Sequence, residues 1–174
     1  MKLPPSGALL EQGLAELASA RRHLDYSFEE TKRVDPTLAG ISERQLESVE
    51  AFTGRFARVV DLLVNKVLRG VDQFEIEPPG TLLDVLNRAE KRGLIARAAD
   101  LREMKMVRNA IAHDYAGAEA PAIFAFCREK KAALDRAGDH VSAYARNLIS
   151  GAEPSAIKPA CEDSVESPED PPPP

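Results

Sequence analysis

The stretch SERQLESVEAFTGRFARVVDLLVNKVLRG, residues 42–70, carries the clearest structural signal in the chain. Ser42 followed three residues later by Gln45 is the pattern of a capping box, in which two side chains satisfy free N–H groups at a helix start. The apolar residues that follow recur at intervals of three, four and seven, as they do on one face of an α-helix. They are Leu46, Val49, Phe52, Phe56, Val59, Val60, Leu63 and Val67. The stretch therefore predicts a long amphipathic helix, for which Gly70 is a suitable end.

The same spacing on both sides of this stretch predicts four more helices. Ser6 can cap a first helix whose apolar stripe is Leu10, Leu14, Leu17, Leu24 and Phe28. A short helix is predicted from Thr81 to Gly93, and another from about Ile95 to His113. Pro121 suits the first turn of a last helix. Because no stretch alternates with the period of a strand, we expect an all-α fold, an antiparallel bundle of about five helices over residues 6–150.

The C-terminal residues have a different composition. Seven of the thirteen prolines follow Gly151, and residues 152–174 contain six acids and one base, a net charge of −5. The net charge of the whole chain is also −5, so the remaining residues contain equal numbers of acids and bases. Such a segment has too little apolar surface to offset the entropy lost on ordering. We therefore predict a disordered, acidic, proline-rich tail over residues 151–174, attached to a neutral domain that is not a generic nucleic-acid binder.

Composition also excludes several classes of protein. The longest uncharged apolar run, Ala120–Cys127, is too short to span a bilayer. The N-terminal residues, with Pro4, Pro5 and Glu11, do not have the apolar stretch of a signal peptide. The two cysteines lack zinc-ligand spacing and do not make a disulfide framework. We expect a cytoplasmic protein with no membrane contact, no metal and no cofactor.

One cluster of residues is suited to chemistry, the segment VRNAIAHDY at residues 107–115. On a helix, Arg108 falls in line with the apolar Leu101, Met104 and Ile111, and such a position is costly for a guanidinium unless an anion or acceptors meet it. His113 lies one turn beyond Asn109 on the adjoining face. The alternatives are structural: Arg108 pairs with a glutamate of a neighbouring helix or extends to solvent, and His113 caps the helix or interacts with its dipole.

These residues form the pattern R-N-x-x-x-H-x-Y, with Arg108, Asn109, His113 and Tyr115 at the stated positions. The pattern resembles the signature of HEPN-domain ribonuclease toxins, specifically the HepT-like group, whose genes lie beside a minimal nucleotidyltransferase antitoxin. The resemblance covers roughly residues 9–148 and leaves the acidic tail unmatched.

The resemblance implies a helical bundle that dimerises, so that two motif helices form one cleft. Members of the family cleave RNA without a metal, using the ribose 2′-hydroxyl as nucleophile. His113 would transfer protons near neutral pH, and Arg108 would stabilise the crowded phosphate. Asn109 would orient the histidine or the phosphate. The tyrosine that matches Tyr115 is where the partner attaches AMP; the alternative is a tyrosine that only packs its ring in the bundle.

The charges around the motif are a weaker indication. Residues 88–108 contain seven bases and three acids, an excess that would suit an RNA backbone or simply form a solvated helix surface. The bases are Arg88, Lys91, Arg92, Arg97, Arg102, Lys105 and Arg108.

The leading hypothesis is an endoribonuclease toxin of a type II or type VII-like toxin–antitoxin pair, silenced by a nucleotidyltransferase antitoxin. The runner-up is a non-catalytic HEPN binding module that serves as partner or substrate-presenting subunit of a nucleotidyltransferase. A scaffold that only dimerises would leave Arg108 without a role.

Overall fold

The structure, a computed structural model, describes residues 5–113 and 119–151, and every element in those ranges is helical. The α-helices are α1 (Pro5–Thr31), α2 (Glu43–Leu62), α3 (Arg69–Phe74), α4 (Leu82–Lys91), α5 (Ala98–His113) and α6 (Ala120–Ser150), and a π-helical segment, Leu63–Leu68, joins α2 to α3. The all-α prediction is confirmed for these ranges. The predicted tail beyond Gly151 and the predicted site residue Tyr115 lie outside the described residues.

The predicted capping box is present at the start of α2. The backbone N–H of Gln45 donates to the Ser42 hydroxyl at 3.3 Å, and the Ser42 N–H donates to the Gln45 side chain at 3.0 Å. Phe52 at the centre of the helix is fully buried and packs edge-on against Phe124 of α6, with ring centroids 5.9 Å apart. Phe28 of α1 also packs against the ring of Phe52. The predicted stripe of α2 therefore lies in one hydrophobic core with α1 and α6.

The predicted helix boundaries at Ser6 and Gly70 are wrong. Ser6 lies inside α1, which already includes Pro5, so it does not cap that helix. Gly70 does not end the long helix, because the chain continues through α3 to Phe74. A Cβ at Gly70 would lie 3.1 Å from Cδ1 of Leu10, so glycine lets α1 and α3 approach closely there. Its role is in packing between helices, which the local sequence does not reveal.

The helix that carries the motif is held by its neighbours on both sides. Thr81 and Asp84 form a second capping box at the start of α4, and Gly93 follows α4 with φ +71°. Glu90 of α4 then accepts a hydrogen bond from the backbone N–H of Ala98 at 2.5 Å, which places the start of α5 three residues later than predicted. α5 packs against α2, α4 and α6.

A buried lysine joins the two longest helices. Lys131 of α6 is 5% exposed, and its ammonium lies 2.6 Å from a carboxylate oxygen of Asp25 in α1 and of Asp135 in α6. Burial alone would lower the pKa of Lys131, but these two hydrogen bonds outweigh it and raise the pKa. In the described part of the chain, no helix is both long and apolar enough to cross a membrane.

Candidate functional site

Three of the predicted site residues, Arg108, Asn109 and His113, lie at the C-terminal end of α5, and Tyr115 lies outside the described residues. Leu101 and Met104, each 2% exposed, fix the first half of this helix in the core. Positions 108, 109 and 113 follow on its last turns, and Asn109 is exposed. From the backbone, positions 108 and 113 are separated by about 7.5 Å along the helix axis and about 140° around it. The side chains of Arg108 and His113 lie outside what the structure describes.

Two grooves meet beside this helix end, and half-buried Ile111 lines both of them. The polar groove, of about 620 Å³, runs along α2 past Gly54, Ala57 and Arg58 to Asn65 of the π-helical segment. The apolar groove, of about 630 Å³, is lined chiefly by Leu38, Ile41, Leu46, Val49, Pro121 and Ile123. Since Gly54 and Ala57 have small side chains, the floor of the polar groove is open beside the motif.

Charges in the polar groove are mostly paired. Lys66 binds Glu16 at 2.6 Å, and the hydrogen bond it donates holds the pKa of that carboxyl below its ordinary value. Lys105 of α5 is ion-paired with Asp61 of α2, next to the motif turns. Arg58 is exposed and makes no ion pair with a described carboxylate. A bound anion could therefore pair with Arg58 in this groove without breaking an existing ion pair.

Three of the seven basic residues counted around the motif are bound to acids in the folded protein. Arg88 and Arg92 are turned towards acids of the α3 region, and Lys105 is paired with Asp61. Lys91, Arg97 and Arg102 are exposed, although Arg97 has a weak contact of 3.9 Å with Asp100. Part of the predicted RNA-binding charge is therefore committed to holding helices together.

Sequence reasoning missed the acidic cluster that binds those arginines. Asp72, 6% exposed, accepts hydrogen bonds from Arg88 Nε at 3.0 Å and Nη2 at 2.6 Å. Its other oxygen accepts from Arg92 Nη1 at 2.7 Å. The hydrogen bonds to Asp72 raise the pKa of Arg88. An acid placed among the apolar residues of the long helix was the signal that could have indicated this cluster.

Tyr144 of α6 completes this cluster. Its hydroxyl donates to Glu75, whose carboxylate also lies 2.6 Å from Arg92. Burial, together with the negative charge of Glu75, raises the pKa of Tyr144 to about 12. Burial likewise raises the pKa of the Cys127 thiol to about 12. Neither group is suited to act as a nucleophile near neutral pH, and the motif on α5 remains the best candidate for chemistry.

No protein-family model, curated protein or solved structure matches this chain.

Proposed function

We propose that the protein is a cytoplasmic, metal-independent endoribonuclease toxin, with its active site at the C-terminal end of α5. The observation that carries the proposal is the position of Arg108, Asn109 and His113 on the last turns of a helix that is anchored in the core by Leu101 and Met104 of its first half. A helix fixed in this way keeps catalytic side chains in a constant relation to one another. The helices would form an antiparallel bundle of the HEPN type, because the motif resembles the signature of that family.

The reaction would be an internal transfer at a phosphodiester. A neutral His113 accepts the proton of the ribose 2′-hydroxyl, and the 2′-oxygen bonds to phosphorus. The bond from phosphorus to the 5′-oxygen breaks, and that oxygen leaves with a proton from a protonated histidine. Arg108 stabilises the charge on the crowded phosphate, and Asn109 orients the groups. The products are a 2′,3′-cyclic phosphate and a 5′-hydroxyl.

A second copy of the chain would complete the site. One histidine cannot be both the proton acceptor and the proton donor of the same step, whereas two copies of α5 related by a two-fold axis supply one of each. The polar groove lies beside this helix end, and Arg58 would bind a phosphate of the RNA strand there. We therefore propose a homodimer in which two motifs form one cleft.

The test is RNA cleavage by the purified full-length chain. We expect cleavage that persists in EDTA, with 2′,3′-cyclic phosphate ends on the products, and growth inhibition on expression. Products with 3′-hydroxyl ends, or activity that EDTA removes, would contradict the proposed chemistry.

A non-catalytic binding module is the second candidate. It is favoured by the commitment of Arg88, Arg92 and Lys105 to internal ion pairs, which reduces the charge left for RNA. In that case the protein would be the partner or substrate-presenting subunit of a nucleotidyltransferase. Wild-type protein that is inert on RNA and harmless on expression would support this candidate over the nuclease.

Tyr115 provides a test of regulation by the partner. We expect a cognate nucleotidyltransferase with ATP and magnesium to attach AMP to its phenolic oxygen and silence the nuclease, because the added phosphate would occupy the anion site near Arg108. Tyr115→Phe keeps the ring and removes only the acceptor oxygen. This variant should remain an active nuclease, escape silencing and show no AMP adduct by intact mass. Silencing equal to that of wild type would instead indicate that the partner only covers the cleft.

A further inference from the structure

The turn between α3 and α4 displays an exposed isoleucine in an unfavourable backbone conformation. Ile76 is 91% exposed, the most exposed of the large apolar side chains in the described ranges, and its φ is +60°. A positive φ is rare for a β-branched residue and costs free energy that the surrounding structure must supply. Leu38 also has a positive φ, but its side chain packs against the core. Ile76 has no such compensation within the described part of this chain.

The residues on both sides of Ile76 hold it in this position. Glu75 and Glu77 both bind Nη2 of Arg92, at 2.6 and 3.0 Å. The backbone N–H of Glu77 also donates to the carbonyl of Asp72 at 2.9 Å. Since Arg92 is anchored by Asp72 as well, the turn is fixed to the buried ion-pair cluster. The backbone at Ile76 is therefore fixed before any contact forms, so that binding would have to order little more than the side chain itself.

A recess of complementary character lies next to this side chain. It has a volume of about 400 Å³, and its apolar lining consists of Ile76 itself, Pro78, Pro79 and Val85, beside the paired Asp72 and Arg88. An apolar side chain that protrudes beside a recess with apolar walls can pair with a second copy of the same surface. In two copies related by a two-fold axis, the side chain of each copy would enter the recess of the other.

The charges at the recess agree with a two-fold contact. Arg69 and Glu77 both line it. Arg69 is exposed, bonds the carbonyl of Gly80 at 3.1 Å, and makes no ion pair with a described carboxylate. Glu77 keeps 37% of its side chain exposed. In a two-fold pair, Arg69 of each copy would face Glu77 of the other, so the contact joins opposite charges at the rim of an apolar centre.

We propose that this surface, comprising Ile76, the recess and the Arg69–Glu77 rim, is a site of self-association with a second copy of the chain. It does not involve the motif residues of α5, so it would join copies independently of the proposed nuclease dimer. A chain with both contacts would form assemblies larger than a dimer.

The first test is sedimentation velocity of the intact chain over a range of micromolar concentrations. Ile76→Asn should remove one association step, whereas Ile76→Leu, which keeps an apolar side chain, should retain it. Leu9→Gln changes another exposed apolar residue, 59% exposed on α1, and serves as the matched control without effect. Since asparagine tolerates a positive φ, Ile76→Asn should also raise the melting temperature of dilute protein, by about 2–4 °C. Unchanged sedimentation of Ile76→Asn, or a lower melting temperature, would overturn the proposal.

The second test uses charge reversal at the rim. Arg69→Glu alone places acids opposite each other, and Glu77→Arg alone places bases opposite each other, so each variant should lose the contact. Mixing the two variants restores opposite charges at both rims, and association should return between the variants. If the mixture associates no more than either variant alone, the two-fold pairing of Arg69 with Glu77 is wrong.

Discussion

Arg108→Ala and His113→Ala are each expected to abolish RNA cleavage and growth inhibition while the protein remains folded. Removing a general acid–base group or a cation that stabilises the phosphate typically lowers the rate by about 10²–10⁴-fold. Both positions lie on the last turns of α5, beyond the buried Leu101 and Met104. The core contacts of the helix therefore stay in place, and helix content by circular dichroism should be unchanged.

The matched control for these variants is Arg102→Ala. Arg102 is an exposed arginine of the same helix that is not part of the motif, so its removal should leave most of the cleavage activity. Loss of activity in all three variants would indicate a general requirement for positive charge. If Arg108→Ala and His113→Ala cleave like wild type, the catalytic assignment is wrong.

Asp72→Ala is expected to lower the free energy of unfolding by about 3 kcal/mol, since removing one member of a buried ion-pair network leaves opposite charges without acceptors. The Asp72 side chain is 8% exposed and binds both Arg88 and Arg92. Arg92 keeps Glu75 and Glu77, whereas Arg88 has no other ion pair to a described acid. Because the same cluster holds the turn at Ile76, the substitution should also weaken the contact between α3 and α4.

Urea denaturation measures this effect, with Asp100→Ala as the control. The ion pair of Asp100 with the exposed Arg97 is a distant one of 3.9 Å, and such pairs contribute less than about 1 kcal/mol. Equal losses in the two variants would show that the Asp72 cluster does not stabilise the fold beyond an ordinary surface pair.

The features that could be predicted from the sequence are those that depend on neighbouring residues along the chain. The capping box at Ser42 and Gln45, the buried stripe around Phe52 and the all-α class follow from residue spacing, because a helix brings residues three and four apart onto one face. The same periodicity places Arg108, Asn109 and His113 on one helix end, since their relation along α5 depends only on helical geometry.

The features that sequence reasoning missed depend on residues distant along the chain. Gly70 was expected to end a helix, but its place is set by Leu10, sixty residues earlier, which packs against it. The excess of bases near the motif was expected either to suit an RNA backbone or to form a solvated surface, whereas Arg88 and Arg92 are bound to Asp72. The recess beside Ile76 likewise arises only where α3 and α4 meet. Periodicity specifies which face of a helix is apolar, but packing between helices selects which charges are paired and which apolar side chains stay exposed.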